Sequence, residues 1–335
     1  MNNTTLEDVS ISKSSNIAQK DLENNEGTYP IYGASGFIKN IDFYRFEEEY
    51  IAIVKDGAGV GRVMKLPAKS SIIGTMQGII PNEKIDIDYL YYFLKAKRLE
   101  HYYTGATIPH IYYKDYKKEK IELIDKEEQK NRANQLNAVQ KLIELKEKQI
   151  KELENIIKSQ FVEMFERGQY PKDEFINIAK EIYAGGDKPK DISKVKEGEY
   201  LYPVFANGYE NEGLQGYSKV YRTGDSAVTI SARGTIGYSF IRNEKFTPIV
   251  RLITIIPNEK ANVVYLKYAI DNLNIAGSGT SQAQLTVPDI KKKKIIIPPI
   301  ELQNKYAEFV KQIDKQKFVL YQTIAYLEIM LYNNT

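Results

Sequence analysis

The sequence contains no cysteine and no tryptophan, and only two of its 335 residues are histidine. Without thiols there can be no disulfide, thiolate metal site or cysteine nucleophile, which fits a reducing compartment. His101 and His110 lie in the same half of the chain, so no histidine-centred triad or HExxH zinc motif recurs in the other half. No run of ~18 apolar residues is present to span a bilayer, and the opening MNNTTLEDVSISK lacks the basic-then-apolar layout of a signal peptide. A cytoplasmic chain with no membrane segment is expected. Gly57, Gly59 and Gly61 are not spaced as a dinucleotide fingerprint, and no GxxxxGK[ST] phosphate loop occurs. An Asn/Asp-Pro-Pro-Tyr/Phe methyltransferase tetrapeptide is also missing, and Pro288-Asp289 lacks the Glu-x-Lys of a metal-dependent nuclease core. Net charge is only +3, so any nucleic-acid signal must be local.

What is present supports a folded chain of about two domains: 42% of residues are hydrophobic and 27% charged. The strongest feature is an internal repeat. Tyr29-Pro30-Ile31-Tyr32 recurs as Tyr202-Pro203-Val204-Phe205, and Asp56-Gly57-Ala58-Gly59-Val60-Gly61 as Ala232-Arg233-Gly234-Thr235-Ile236-Gly237. Ile79-Ile80-Pro81-Asn82-Glu83-Lys84 returns as Ile255-Ile256-Pro257-Asn258-Glu259-Lys260, Tyr89-Leu90 as Tyr265-Leu266, and Asp115 as Asp289, always in the same order. Within each copy, β-branched runs such as Tyr50–Val54 and Ser226–Ile230 read as strands ending in Gly-rich turns, and Leu90–Leu99 and Leu266–Leu273 read as short helices.

After each copy the pattern becomes heptad. Leu136, Ile143, Ile150, Ile157 and Met164 recur every seventh residue with Val139 and Leu153 interleaved, interrupted by Lys146 and Gln160. Val310, Ile313, Leu320, Ile324, Leu327 and Leu331 repeat that seam, interrupted by Lys317. A helix over 127–165 would extend about 58 Å at ~1.5 Å per residue, and its seam needs a partner. Two matching seams predict an antiparallel helix pair. The expected fold is therefore α+β: two mixed modules joined by two long antiparallel coiled-coil helices with an internal pseudo-two-fold repeat. The predicted segments are 1–126 (module), 127–168 (helix), 169–298 (module) and 299–335 (helix).

Candidate binding residues cluster in two places. Lys55 and Arg62 flank the first Gly-rich turn, and Ser231, Arg233 and Thr235 lie in or beside the second. Glycine lets a backbone approach closely, Arg and Lys reach phosphate or guanine, and hydroxyls bond either. The bland alternative is a hairpin turn with a solvated base. The second cluster contains Thr107, His110, Tyr112 and Lys114, followed by Lys117 and Lys118; its counterpart contains Ser281, Gln282, Gln284 and Thr286, followed by Lys291 and Lys292. Polar tips suited to base edges beside lysines suited to phosphates are expected to bind double-stranded DNA. Lysine runs also occur simply as solvated faces.

At these residues the chain resembles the specificity subunit of a type I restriction-modification enzyme. The order of module, helix, module, helix matches, as do Tyr-Pro-Ile-Tyr-Gly, the Gly-rich turn, Gly279-Thr280-Ser281-Gln282-x-x-Leu285 and the Gly185-Gly186-Asp187-Lys188-Pro189 start. Ile297-Pro298-Pro299-Ile300-Glu301-Leu302-Gln303 is similar to the family's Pro-Pro-x-x-x-Gln junction, whereas Leu123–Gln129 keeps the glutamine without the prolines. The resemblance implies a non-catalytic subunit in which each module binds half of a split, asymmetric site. It also implies partners: two methyltransferase subunits carrying S-adenosylmethionine, and a restriction subunit joining through them, with no cofactor in this chain. A stand-alone DNA-binding regulator and a nuclease with an unrecognised metal site are the competing expectations.

Overall fold

The computed structural model describes residues 4–57, 59–104, 109–273, 275 and 284–333, without the side chains of the last two. The chain forms two compact units, Met1–Lys148 with Leu320–Thr335, and Gln149–Val319. In the first, the helical turn α1 (Leu6–Val9) leads into β1 (Ser10–Ser14), β2 (Tyr29–Gly33), β3 (Gly36–Ile41), β4 (Tyr50–Val54), β5 (Val63–Leu66), β6 (Ser71–Ile72) and β7 (Met76–Pro81). Helices α2 (Ile87–Ala96), α3 (Tyr113–Tyr116) and α4 (Lys126–Phe161) follow. Four strands form an antiparallel sheet in the order β1-β7-β4-β5, and three form β3-β2-β6 with β2 and β6 parallel. Every residue of β4 is buried. Alternation explains this: Ile51 and Ile53 join a cluster with Leu90 and Phe93 of α2, while Tyr50, Ala52 and Val54 join Phe46 and Met76 on the other face.

The second unit repeats the two sheets of the first and adds a short two-stranded ladder. It contains β8 (Lys172–Glu174), α5 (Phe175–Ile178), β9 (Ala179–Ala184), β10 (Tyr202–Phe205), β11 (Leu214–Ser218), β12 (Ala227–Ile230), β13 (Ser239–Arg242), β14 (Thr247–Pro248) and β15 (Ile253–Pro257). Helix α6 (Val263–Asn272), α7 (Val287–Lys292), β16 (Lys294–Ile296) and the part of α8 (Ile300–Asn333) up to Val319 complete it. The orders β9-β15-β12-β13 and β11-β10-β14 reproduce those of the first unit, including the parallel pair. Even the short β8–β16 ladder has a trace in the first unit, the bridge between Thr5 and Lys120.

Both short helices begin three residues before the sequence pattern suggested, because capping sets their starts. Asp86 Oδ1 accepts from the N–H groups of Asp88 and Tyr89, and Asn262 Oδ1 from those of Val264 and Tyr265. Each cap residue is itself clasped by a wholly buried glutamine. Gln129 accepts from the Asp86 N–H and donates to the carbonyls of Lys84 and Ile124. Gln303 accepts from the Asn262 N–H and donates to those of Lys260 and Pro298. The clasp ties the end of each β-sheet segment to the start of a long helix. The first copy does without prolines at this junction because the Asp125 carboxylate caps the Glu127 and Glu128 N–H groups instead.

The heptad seam is where the inward residues lie. Leu136, Ile143, Ile150 and Ile157 of α4, and Val310, Ile313, Ile324 and Leu331 of α8, are buried, and Val139, Leu153, Leu320 and Leu327 are partly so. In the second unit the helices run antiparallel. Tyr306, early in α8, donates its hydroxyl hydrogen to the Ile157 carbonyl and packs edge-on against Phe161, while Lys317, later in α8, pairs with the earlier Glu154 at 3.2 Å. In the first unit the Lys95 ammonium, its pKa lowered by burial, is supported by Glu328 of α8 and Glu144 of α4. The helical stretch after Phe161 closes as a π turn over Val162–Glu166. It brings Phe165 fully into the core and leaves Met164, the expected seam residue, only partly buried. Among the described residues no helix is long and apolar enough to cross a membrane.

Candidate nucleic-acid interface

Topology brings the Gly-rich turns to one end of each four-stranded sheet, the end away from the glutamine clasp. In the first unit the chain leaves β4 at Lys55 and re-enters the sheet at Val63. The N–H groups of Lys55 and Asp56 donate to the Thr75 carbonyl, that of Gly57 to Pro109, and that of Ile111 to Lys55. His110 is thereby bridged to Asp56, with its ring against Tyr112 at 5.2 Å, and the Lys114 ammonium lies over the exposed Tyr112 ring at 5.2 Å. Arg62, also exposed, donates to the Ala34 carbonyl at 2.8 Å and so reaches the β2–β3 turn. Lys55, Arg62, His110, Tyr112 and Lys114 therefore form one loop cluster.

The second unit builds the same end with different side chains. Arg233 is exposed and donates to the side-chain amide oxygen Oε1 of Gln284 at 3.0 Å, joining the two sequence-separated candidates, and Thr235 is exposed beside it. Ser231 is 1% exposed, and its hydroxyl oxygen accepts from the Gly208 N–H at 3.2 Å. It supports the turn and is not presented to a ligand. Gly61 and Gly237 occupy equivalent places, with φ +86° and +93°, and a Cβ there would fall within 2.4 Å of Glu100 N and 2.7 Å of Ile275 O. Only glycine fits. Their partners Val54 and Ser231 are seven and six residues upstream, so the first turn is one residue longer. Lys55 therefore matches Ala232, which likewise accepts from Leu285 N, and not Ser231, as the ungapped repeat implies.

The remaining candidates lie elsewhere. Glu7, on α1 at the opposite end of β1, pairs with Lys117 at 2.8 Å and with Lys118. Their hydrogen bonds, Lys117 first, hold its carboxyl below the ordinary carboxylate range. In the second unit Lys291 and Lys292 end α7, and the adjacent Lys293 carbonyl accepts from Phe175 of α5, at the corresponding end of β9. These four lysines are not part of the loop clusters. Thr286 is an N-cap: its hydroxyl donates to Asp289 Oδ2 at 2.6 Å and accepts from the Asp289 N–H. Thr107, Ser281 and Gln282 lie outside the described residues.

The Thr286 hydroxyl, and then its N–H, lower the Asp289 pKa from 3.8. A depressed carboxyl stabilises above its unfolded pKa and loses that contribution as pH falls through the folded one. Thr286→Ala should cost about 0.5–2 kcal/mol near neutrality. In thermal melts across pH, the difference from wild type should hold above about pH 5 and shrink below 3.8.

Sequence reading missed the β10–β11 connection, Ala206–Gly213, which joins this end of the second unit. Its signal was available: the equivalent β2–β3 connection is only Ala34-Ser35. Arg242, which replaces the buried Leu66 of the first copy at the matching strand position, was missed as well.

Two copies of one α+β scaffold, each closing a sheet with its own polar loops and each joined to a heptad helix, define a tandem two-module recognition protein. The family model for the type I restriction modification DNA specificity domain matches residues 1–155 and 175–326, and the chain belongs to that family. A Mycoplasma pneumoniae protein described as a candidate type I specificity subunit is 29% identical over 320 residues, covering 89% of this chain and 84% of that protein. A second from the same organism is 36% identical over 130 residues, 39% of each chain. The crystal structure of the S subunit of a type I restriction-modification system from M. genitalium shares the fold at TM-score 0.56 and 16% identity, covering 99% of this chain and 94% of that one. A structure from work on complex assembly and conformational transition of the type I system aligns at TM-score 0.57 and 15% identity, covering 99% and 95%.

Proposed function

We propose that this chain reads the DNA sequence for a type I restriction-modification complex. Each unit binds one half of a bipartite, asymmetric site in double-stranded DNA, and the long helices set the gap between the halves. The observation that carries this reading is the contrast between scaffold and tips. Strand order, the capped helices and the glutamine clasp are the same in both units, whereas the sheet-end loops carry Lys55, Arg62 and His110 in one and Arg233, Thr235 and Gln284 in the other. Two unlike tips on one scaffold suit two unlike half-sites.

The helices also dock two methyltransferase subunits, which bring S-adenosylmethionine, and a restriction subunit joins through them. Support comes from apolar side chains off the seam: Leu142, Leu145 and Ile156 on α4, and Phe318, Tyr326 and Ile329 on α8, are 46–63% exposed. Large apolar groups left in water mark interaction surfaces. In this reading the chain works in the cytoplasm, supplies recognition and contributes no catalytic group. Methylation of random-sequence duplex DNA by the purified partner methyltransferase should become confined to one split motif when the chain is added. Unchanged methylation would contradict the proposal, and tight specific binding by the chain alone would favour a stand-alone regulator.

A further inference from the structure

The β10–β11 connection is an addition to a shared scaffold. β2–β3 and β10–β11 pair in the same way and have the same parallel neighbour, yet the first hairpin closes through Ala34-Ser35 and the second through Ala206–Gly213. The longer loop is pinned at several points. Asn207 accepts from the Ala232 N–H at 2.8 Å and donates to the Val250 carbonyl at 2.7 Å, which ties it to the turn carrying Arg233 and to the entry of β15. Asn211 and Glu212 are both left-handed, with φ of 46° and 52°, a conformation that asparagine adopts readily but that is uncommon for glutamate.

Arg242 holds Glu212 in that conformation through its side chain and its carbonyl. Its side chain is 3% exposed, in the position where the first unit has leucine. It donates to Glu212 Oε2 at 2.8 Å, to the Glu212 carbonyl at 2.6 Å and to Thr229 Oγ1 at 3.1 Å, with its guanidinium 3.6 Å from the Phe205 ring centre. Burial pulls its pKa down to about 10. The sheet does not need a charge here, since leucine serves in the first unit, and burying one is costly unless its partners are fixed. Two of its three hydrogen bonds go to the loop.

The loop displays Tyr209, Glu210 and Asn211. Tyr209 is 61% exposed and leans on the exposed Tyr238 ring at 4.8 Å. Residues 206–213 include two glutamates and no lysine or arginine, so a phosphate-binding role is disfavoured by charge. The chemistry suits base edges: an asparagine amide matches adenine N6 and N7, and a carboxylate accepts from cytosine N4. Resting on the DNA-reading function above, we infer that Tyr209–Asn211 read bases of the second half-site, and that Arg242 is the positioning residue that holds them in register.

The test uses the full chain in complex with its methyltransferase subunit, bound to duplex oligonucleotides that vary each half-site in turn and titrated with salt. Tyr209→Ala and Asn211→Ala should each reduce discrimination at a base pair of the second half-site by about tenfold or more, leaving the first half-site and the salt slope unchanged. Arg242→Leu, which restores the first unit's residue, should give the same loss on a folded protein. Should that variant fail to fold, the two loop variants decide alone. Wild-type discrimination in both of them, or a smaller salt slope with selectivity kept, would overturn the inference while leaving the two-module reading intact. A wild-type complex that selects no split site would remove both.

Discussion

Replacing Gln303 by alanine should destabilise the protein by about 3–5 kcal/mol. The side chain is wholly buried and makes three hydrogen bonds, to the Lys260 and Pro298 carbonyls and from the Asn262 N–H. Truncation leaves all three backbone groups unpaired, at about 1–3 kcal/mol each, less whatever water recovers. A typical domain has only about 5–15 kcal/mol in total, so the midpoint of urea unfolding should fall sharply. Changing the exposed Gln322 in the same helix should shift it by no more than about 0.5 kcal/mol. Equal effects from the two would show that the clasp contributes nothing specific. Gln129→Ala should behave like Gln303→Ala, because the three bonds recur in the first unit.

The second large effect concerns Arg233. Its guanidinium is exposed, held by Gln284 at 3.0 Å, and lies on a turn whose neighbours are fixed by Asn207 and Ser231. Losing a positioned base-reading arginine costs about 1–3 kcal/mol, roughly 5- to 150-fold in affinity for the cognate base. Arg233→Ala should therefore relax selection in one half-site and leave the other untouched. Binding competitions with single-base-pair variants give the result directly. A uniform loss across all sequences, with a reduced salt slope, would instead make Arg233 a phosphate contact.

Much of the scaffold could be read from the sequence, because its signals are periodic. Tyr50–Val54 is a strand with alternating faces, and the heptads of both helices mark the residues that are buried, interrupted at Lys317 as expected. Partnerships across long separations could not be read. Lys117 and Lys118 look like a basic run until Glu7 is found beside them, and nothing local reveals that contact. Thr286 is different. Thr286-x-x-Asp289 has the spacing of a capping box, a signal that the neighbouring lysines mask by resembling a binding loop. The ungapped repeat sets the Gly-rich turns one residue out of step at their start, since an insertion within a loop leaves no hydrophobic pattern to register it. The β10–β11 loop has no counterpart in the first copy, so the repeat, which shows only what is shared, does not contain it.

If two copies of one scaffold read two separate stretches of DNA, the methylated site must be split. Substituting every base pair in turn across the site methylated by the assembled complex tests it most directly. Two short intolerant segments of unlike sequence, separated by a fixed gap that tolerates any base, are the expected result, with Arg233→Ala altering only one of them. A single continuous intolerant segment, or loss of both segments together on changing Arg233, would contradict the account.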